Sequence, residues 1–210
     1  MTHLSRHPVT LSPPHPRLHR EAQRKAIHVA SVLVPLAVWL LPRPVALVLL
    51  GTGVALAVLV EAGRRRVRWA RYHFLKRTRT LLRAHERDRL AGATWMALAY
   101  FLALLLFPKP VAVLAMLYAA LGDAAAALVG RRWGRRRARW GKSAEGLAAA
   151  FAVMLALGVA MPGVPLAAAV VGAAVASLLE FLPLPLDDNL VVVLSGGAAV
   201  WGVMALTTYP

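Results

Sequence analysis

Apolar residues run along this chain in seven blocks, at about 26–41, 44–62, 92–107, 110–129, 145–161, 164–181 and 190–207. Each block has roughly the length at which an α-helix crosses a bilayer. The links at 42–43, 107–110 and 161–165 are short and contain proline, so the helices beside them are expected to pair as hairpins. The pattern predicts an all-α, polytopic membrane protein of about seven transmembrane helices. Residues 1–20 break the pattern: Pro8, Pro13, Pro14 and Pro16 forbid a stable helix. His3/His7 and His15/His19 have i,i+4 spacing there, but without a helix to align them the segment reads as a flexible tail. The first apolar block is expected to be retained rather than cleaved as a signal peptide.

Composition strengthens this picture. Apolar residues make up 59% of the 210, with a mean hydropathy of +0.61, whereas a soluble domain is about 45–50% apolar. The chain has no cysteine, which excludes disulfides, thiolate nucleophiles and cysteine metal sites. A formal charge of +16 would suggest nucleic acid in a soluble protein. Here the charges lie between the apolar blocks. The tail up to Lys25 holds five Lys or Arg, the 63–91 segment eleven and the 130–144 loop seven, leaving only Arg43 and Lys109 of the 25 for the other side. By the positive-inside rule the N-terminus and both basic loops face the cytoplasm and the C-terminus lies outside. That accounts for the charge with no nucleic acid partner and predicts a cytoplasmic (inner) membrane protein, with residues 21–210 as one membrane-embedded domain. Within 63–91, Val67, Phe74, Leu81 and Leu82 recur near helical spacing among arginines, as in an amphipathic helix on anionic phospholipids. A solvated basic helix fits the same spacing.

The topology then sorts the acids, of which there are only nine. Asp123 falls inside the fourth helix near its inner end, Glu145 opens the fifth, Glu180 ends the sixth, and Asp187 and Asp188 lie in the sixth-to-seventh loop. All five gather at the cytoplasmic ends. A carboxylate near a bilayer costs about 2.5–3.5 kcal/mol on insertion scales, so such acids are expected to have partners or a task. The 182–189 loop has no Lys or Arg, so its acids lack a local partner. Carboxylates facing a basic loop are the arrangement that a metal–nucleotide complex requires, carboxylates for Mg²⁺ and Arg/Lys for phosphates. Surface neutralisation of the 130–144 arginines is the plainer reading, and Asp123 inside a helix is what it leaves unexplained.

Three motifs add detail. In "GDAAAALVGRRWG" Gly122, Ala126, Gly130 and Gly134 recur every four residues and form one small face. That face suits close helix packing or room for a ligand beside Asp123, and spacing alone favours packing. "WGKSAEG" looks like the end of a phosphate-binding loop, but Gly134 and Gly141 are too far apart and no strand precedes it. Lys142 and Ser143 nonetheless precede a helix N-terminus, which favours a phosphate, or Ser143 is simply the N-cap. In "REAQRKAIHV" Arg24 and His28 share a helical face at the mouth of the first helix beside Lys25.

Together "RKAIH", "RLAGATWMALA", "GDAAAALVGRRWG", "GKSAEG" and "EFLPLPLDDNL" resemble, in order and spacing, the CTP-dependent lipid-alcohol kinases: dolichol kinase, phytol kinase and the fungal CTP-dependent diacylglycerol kinase. The resemblance covers about residues 20–200. It departs after "DDNL", where relatives often carry proline and this chain reads Val-Val-Val-Leu, and in lacking the extra helices of eukaryotic dolichol kinases. The resemblance implies phosphoryl transfer from CTP, with Mg²⁺, to a membrane lipid alcohol. It implies nucleotide-site roles for Arg24, Lys25, Gly122, Gly130, Gly134, Lys142, Ser143, Glu145, Gly146 and Asn189. Asp123, Asp187, Asp188 and Glu180 are the implied metal ligands, Asp123, Asp187, Asp188 and His28 the implied catalytic groups, and Glu145 is expected to orient Lys142. A phosphatidate cytidylyltransferase is the alternative enzyme, disfavoured by the missing C-terminal Asp-Arg-x-Asp-Ser element. An ion-coupled transporter is the alternative from another class; intramembrane acids mark ion paths, but here they lie at one face and no inverted repeat is visible.

Overall fold

Two Pro-basic-Pro turns organise the first half of the bundle. In this computed structural model, which describes residues 30–67, 69, 72 and 90–208, helix α1 (Leu33–Leu40) ends at Leu41 and α2 (Arg43–Arg66) starts on Pro42 and Pro44. Helix α3 (Gly92–Leu106) ends at Phe107, and α4 (Lys109–Leu117) starts on Pro108 and Pro110 in the same way. Proline suits the first turn because its missing N–H has no intrahelical partner there. The two turns also cap each other's hairpin. The Arg43 guanidinium donates to the carbonyls of Leu104 (2.9 Å) and Leu105 (3.3 Å), while Lys109 Nζ donates to the carbonyl of Leu41 at 2.8 Å. Carbonyls that a helix C-terminus leaves open are thus filled from the neighbouring hairpin.

After Leu117 the chain passes through one π turn (Tyr118–Gly122) and continues as α5 (Asp123–Trp133), so that Lys109–Trp133 forms one 25-residue rod. Helices α6 (Ala144–Ala160), α7 (Leu166–Phe181) and α8 (Asp188–Thr208) complete the bundle. No β-strand occurs among the described residues. The protein is therefore all-helical, and three of its helices, Arg43–Arg66, Lys109–Trp133 and Asp188–Thr207, are long and apolar enough to cross a membrane. Helices α3, α6 and α7 are apolar but shorter, at 15, 17 and 16 residues.

The Lys109–Trp133 rod is the axis of the bundle, and all ten residues 111–120 are buried. Its "VAVLAMLYAA" is apolar on every side, the pattern of a helix surrounded by others. The outer helices meet it through small residues, as membrane helices do where close contact replaces the hydrophobic drive. A Cβ on Gly172 would strike Val200, one on Gly197 would lie 2.6 Å from Phe107, and one on Gly196 3.1 Å from Ala176. Tyr118 occupies a slot between Gly158, Gly172 and Gly196 of three different helices, with its hydroxyl buried and without a hydrogen-bond partner among the described residues.

The helices lie largely where hydropathy puts them, except that the 26–41 block is helical only over Leu33–Leu40 among the described residues, and two further corrections apply. The 130–144 segment is not a loop throughout: the helix continues through Arg131, Arg132 and Trp133 and only 134–143 leaves it. Gly130 does not stop the helix because its missing side chain is used for packing. Asp188 and Asn189 likewise belong to the first turn of α8 rather than to the preceding loop. Asp187 caps that turn, its Oδ1 accepting from the Asn189 N–H at 3.0 Å.

Candidate functional site

The glycine motif and the Lys-Ser-x-Glu-Gly motif meet at one joint between α5 and α6. Ser143 is the N-cap of α6, its Oγ accepting from the Gly146 N–H at 3.1 Å. A Cβ on Gly130 would approach Ser143 Oγ to 2.9 Å, one on Gly134 would strike the Gly130 carbonyl and Ser143, and one on Gly146 would lie 2.8 Å from the Ala126 carbonyl. Gly122, further along the same face, abuts Met154. The small face of α5 therefore packs on α6 from Met154 to Ser143, as spacing favoured. Ser143, Gly130, Gly134 and Gly146 set the distance between the helices.

Between these helices residues 136–144 fold back as a short hairpin. Ala144 N donates to the Arg136 carbonyl (2.9 Å), Ala138 N to the Lys142 carbonyl (2.8 Å) and Gly141 N to the Ala138 carbonyl (2.9 Å), with a bridge pairing Arg137 and Ser143. Gly141 has φ +90°, the left-handed position that a three-residue hairpin loop assigns to glycine. Three anchors hold the hairpin. Glu145 accepts from the Arg136 N–H at 3.2 and 3.3 Å. The Arg137 guanidinium donates to the carbonyls of Gly130 (2.9 Å) and Gly141 (3.1 Å). Trp140 Nε1 donates to the Phe181 carbonyl at 2.8 Å, and its ring meets the Phe181 ring edge-on at 5.6 Å.

The hairpin delivers Lys142 to the end of α7. Its ammonium donates to Glu180 Oε1 at 3.0 Å and to the Glu180 carbonyl oxygen, and lies 3.8 Å from Asp188 Oδ2. Glu180 is buried and Asp188 half-exposed. Asp123 is close enough to Glu180 for the two carboxylates to act on each other electrostatically. In the segment that carries Lys142, Arg131, Arg132, Arg135, Arg136, Arg137 and Arg139 are exposed.

Three expectations change here. Asp188, one of the two acids of the 182–189 segment, does have a cationic neighbour, Lys142 at 3.8 Å, supplied by a hairpin distant in sequence. The carboxylate that orients Lys142 is Glu180, while Glu145 serves the Arg136 backbone. Asp187 turns Oδ1 onto the Asn189 backbone N–H and side-chain Nδ2, both at 3.0 Å. Arg24, Lys25, His28 and most of the 63–91 segment lie outside the described residues.

One charged group escaped the sequence reading. Glu61, 4% exposed, binds Arg64, 3% exposed, at 2.6 Å near the end of α2, and its Oε1 accepts from the Ala91 N–H at 3.0 Å. It ties the end of α2 to the start of α3 across the basic segment. The argument that singled out Asp123, a carboxylate within an apolar run, applies equally to Glu61.

Among the described residues no group of three or more His, Asp or Glu side chains stands ready to hold a metal. Two carboxylates nevertheless converge on one cation. Mg²⁺ is commonly held by one or two carboxylates, with waters and substrate phosphates completing its shell. Glu180 and Asp188 have the chemistry for that, and in this structure both face the Lys142 ammonium, at 3.0 and 3.8 Å. No protein-family profile, curated protein or solved structure matches the chain.

Proposed function

We propose that this chain is a CTP-dependent kinase of a membrane lipid alcohol, of the phytol, polyprenol or dolichol type or a diacylglycerol, acting at the cytoplasmic face of the inner membrane. In this reading seven helices span the bilayer, with the N-terminus inside and the C-terminus outside. The observation that carries the activity is the joint made by Lys142, Glu180 and Asp188 beside Asp123, on the same side of the chain as the exposed arginines of the 131–139 segment. It combines acids for a cation with bases for phosphates at the end of the bundle that bears the basic segments. Trp39 and Trp201 at one end, and Trp69, Trp133 and Trp140 at the other, are exposed as an interfacial aromatic belt would be. Helices of 15–17 residues reach about 23–26 Å and fit a locally thinned bilayer.

The exposed arginines and Lys142 bind the triphosphate. Glu180 and Asp188, with Asp123 nearby, would hold Mg²⁺, which would supply neutralisation of the charge that develops on the phosphates. The half-exposed Asp188 accepts the proton of the lipid hydroxyl. The hydroxyl oxygen bonds to the γ-phosphorus, the bond from that phosphorus to the β–γ bridging oxygen breaks, and CDP leaves. Asp187 and Asn189 hold the turn that presents Asp188, and Ser143 with its glycines holds Lys142 at its register. Arg24, Lys25 and His28 would join from the mouth of the first helix.

Labelled CTP and a panel of lipid alcohols test the reading. Label passing to lipid from γ-labelled CTP supports it. Label passing from α-labelled CTP would assign the chain to cytidylyl transfer instead, and no transfer from either would overturn the reading.

A further inference from the structure

At the end of the bundle away from the acids, the α1–α2 hairpin does not close. Leu33, Ala37 and, at the C-cap, Leu41 form one face of α1 at helical spacing, and Ala46, Leu49 and Leu50 form the face of α2 turned toward it. Elsewhere in the bundle small residues bring helices into contact. Between these two faces a groove of about 210 Å³ stays open. Val38 and Ala46, both buried, make its floor, and Leu33 and Leu49, both exposed, make its mouth. A cavity of about 150 Å³ lined by such side chains stays dry and takes up a hydrocarbon, because water finds no partners in it. Helix α1 is 8 residues long. That is about 12 Å of rise, close to one leaflet's share of a roughly 30 Å hydrocarbon core.

One end of the groove is charged. Leu41, which lines it, gives its carbonyl to Lys109 Nζ at 2.8 Å, and Lys109 stands 6.0 Å over the Trp39 ring. Arg43 lies in the same turn and is exposed. Both of its bonds to carbonyls use Nη2, which leaves Nε and Nη1, among the described residues, for an outside acceptor. No acid lies among the residues of this turn or of the neighbouring one. A guanidinium and an ammonium at the head of an apolar groove suit a phosphodiester that trails a hydrocarbon. The exposed Trp39 belongs at headgroup depth. We propose that the α1–α2 groove binds one acyl chain of a phospholipid with a net negative headgroup, seated in the leaflet away from the acids, with its phosphate on Arg43 and Lys109. The proposal rests on the chain spanning a membrane and not on phosphoryl transfer.

The probe is phosphatidylglycerol with a diazirine in one acyl chain, a tracer in phosphatidylcholine nanodiscs that hold the full chain. A phosphatidylcholine tracer with the same acyl chain is the reference, and labelled residues are mapped by mass spectrometry after illumination. The phosphatidylglycerol tracer is expected to label Leu33, Ala37 and Leu49 in excess of Val48, outside the groove on α2, and of Leu206, at the same end of α8, although both of these are exposed. At the groove it should exceed the phosphatidylcholine tracer at least about fivefold. Equal labelling by the two tracers, or no excess over Val48 and Leu206, overturns the proposal, and neither result needs a variant. Ala37→Phe fills the groove from its exposed side. It should remove the excess and leave Val48 and Leu206 unchanged; an excess that persists overturns the proposal. Arg43→Gln with Lys109→Gln keeps an N–H for each carbonyl without the charge. It should equalise the two tracers, and a preference that survives it overturns the headgroup assignment and the proposal with it. Absence of phosphoryl transfer from CTP would leave all of these results standing, so the two readings fail separately.

Discussion

The two ends of the bundle use their charges in opposite ways. At the end of the α1–α2 and α3–α4 turns, Arg43 and Lys109 bond, among the described residues, to backbone carbonyls, and Lys109 also lies 6.0 Å over the Trp39 ring. No acid lies among the residues of those turns. At the other end Lys142 meets Glu180 and Asp188, and Arg64 meets Glu61. Cations at the first end complete helices, as Lys and Arg near helix C-termini do. At the second end Arg137 still serves carbonyls, but Lys142 and Arg64 are matched to anions that hydropathy would rather exclude. A charge that completes a helix can be replaced by any group that satisfies the carbonyl. A charge matched to a buried acid leaves an uncompensated ion when removed.

The contrast predicts a ranking of effects. Asp188→Asn should reduce transfer from γ-labelled CTP by roughly 10²–10⁴-fold without changing thermal unfolding in detergent; a fall of less than tenfold would remove Asp188 from the reacting groups. Glu61→Ala should lose about 3–5 kcal/mol of stability because Arg64 remains buried without its anion, read as a lowered unfolding midpoint; an unchanged midpoint would place this pair with the dispensable charges. Trp140→Phe keeps the ring contact with Phe181 but removes the Nε1 hydrogen bond. It should cost about 1 kcal/mol and show as a several-fold higher KM for CTP with kcat retained; loss of kcat alone would mean the anchor does not position Lys142. Arg43→Ala should cost about 0.5–1.5 kcal/mol and leave turnover unchanged, because its carbonyl partners lie far from the acids. A turnover defect there would erase the distinction between the ends.

Most of the architecture was readable from hydropathy, because helix length and proline position are local properties. The ends of α3, α6 and α7 fall within about two residues of the apolar blocks. The α5 terminus was not readable, since Gly130 looks like a stop until Ser143 is seen beneath it. The small face from Gly122 to Gly134 was legible as packing, and packing is what it does. The gathering of Asp123, Glu180 and Asp188 at one end followed from helix parity alone. Their partner did not, because nothing in the 182–189 loop announces a lysine on a hairpin whose fold depends on Gly141 and Trp140. Glu61 was hidden by Arg64, Arg65 and Arg66, which make the end of α2 look like the start of a solvated loop. The matching "PRPVA" and "PKPVA" turns were visible as letters, but reciprocal capping requires knowing that the two hairpins stand side by side.

The slot around Tyr118 bears on substrate choice. Its hydroxyl leaves only 2.9 Å to a Cβ placed on Gly158, and its ring 3.2 Å to one placed on Gly196. Where a single methyl group does not fit, a polyprenyl or acyl chain cannot thread. Tyr118 therefore acts as a stopper between α6, α7 and α8. For the proposed reaction, the hydrocarbon of the acceptor cannot pass between α6, α7 and α8 at this slot, and the outer faces of the bundle, among ordinary lipids, are the path it leaves beside them. Discrimination then falls on the hydroxyl and its first few carbons, and acceptors that differ only in the number of isoprene units beyond those should be phosphorylated with nearly equal efficiency.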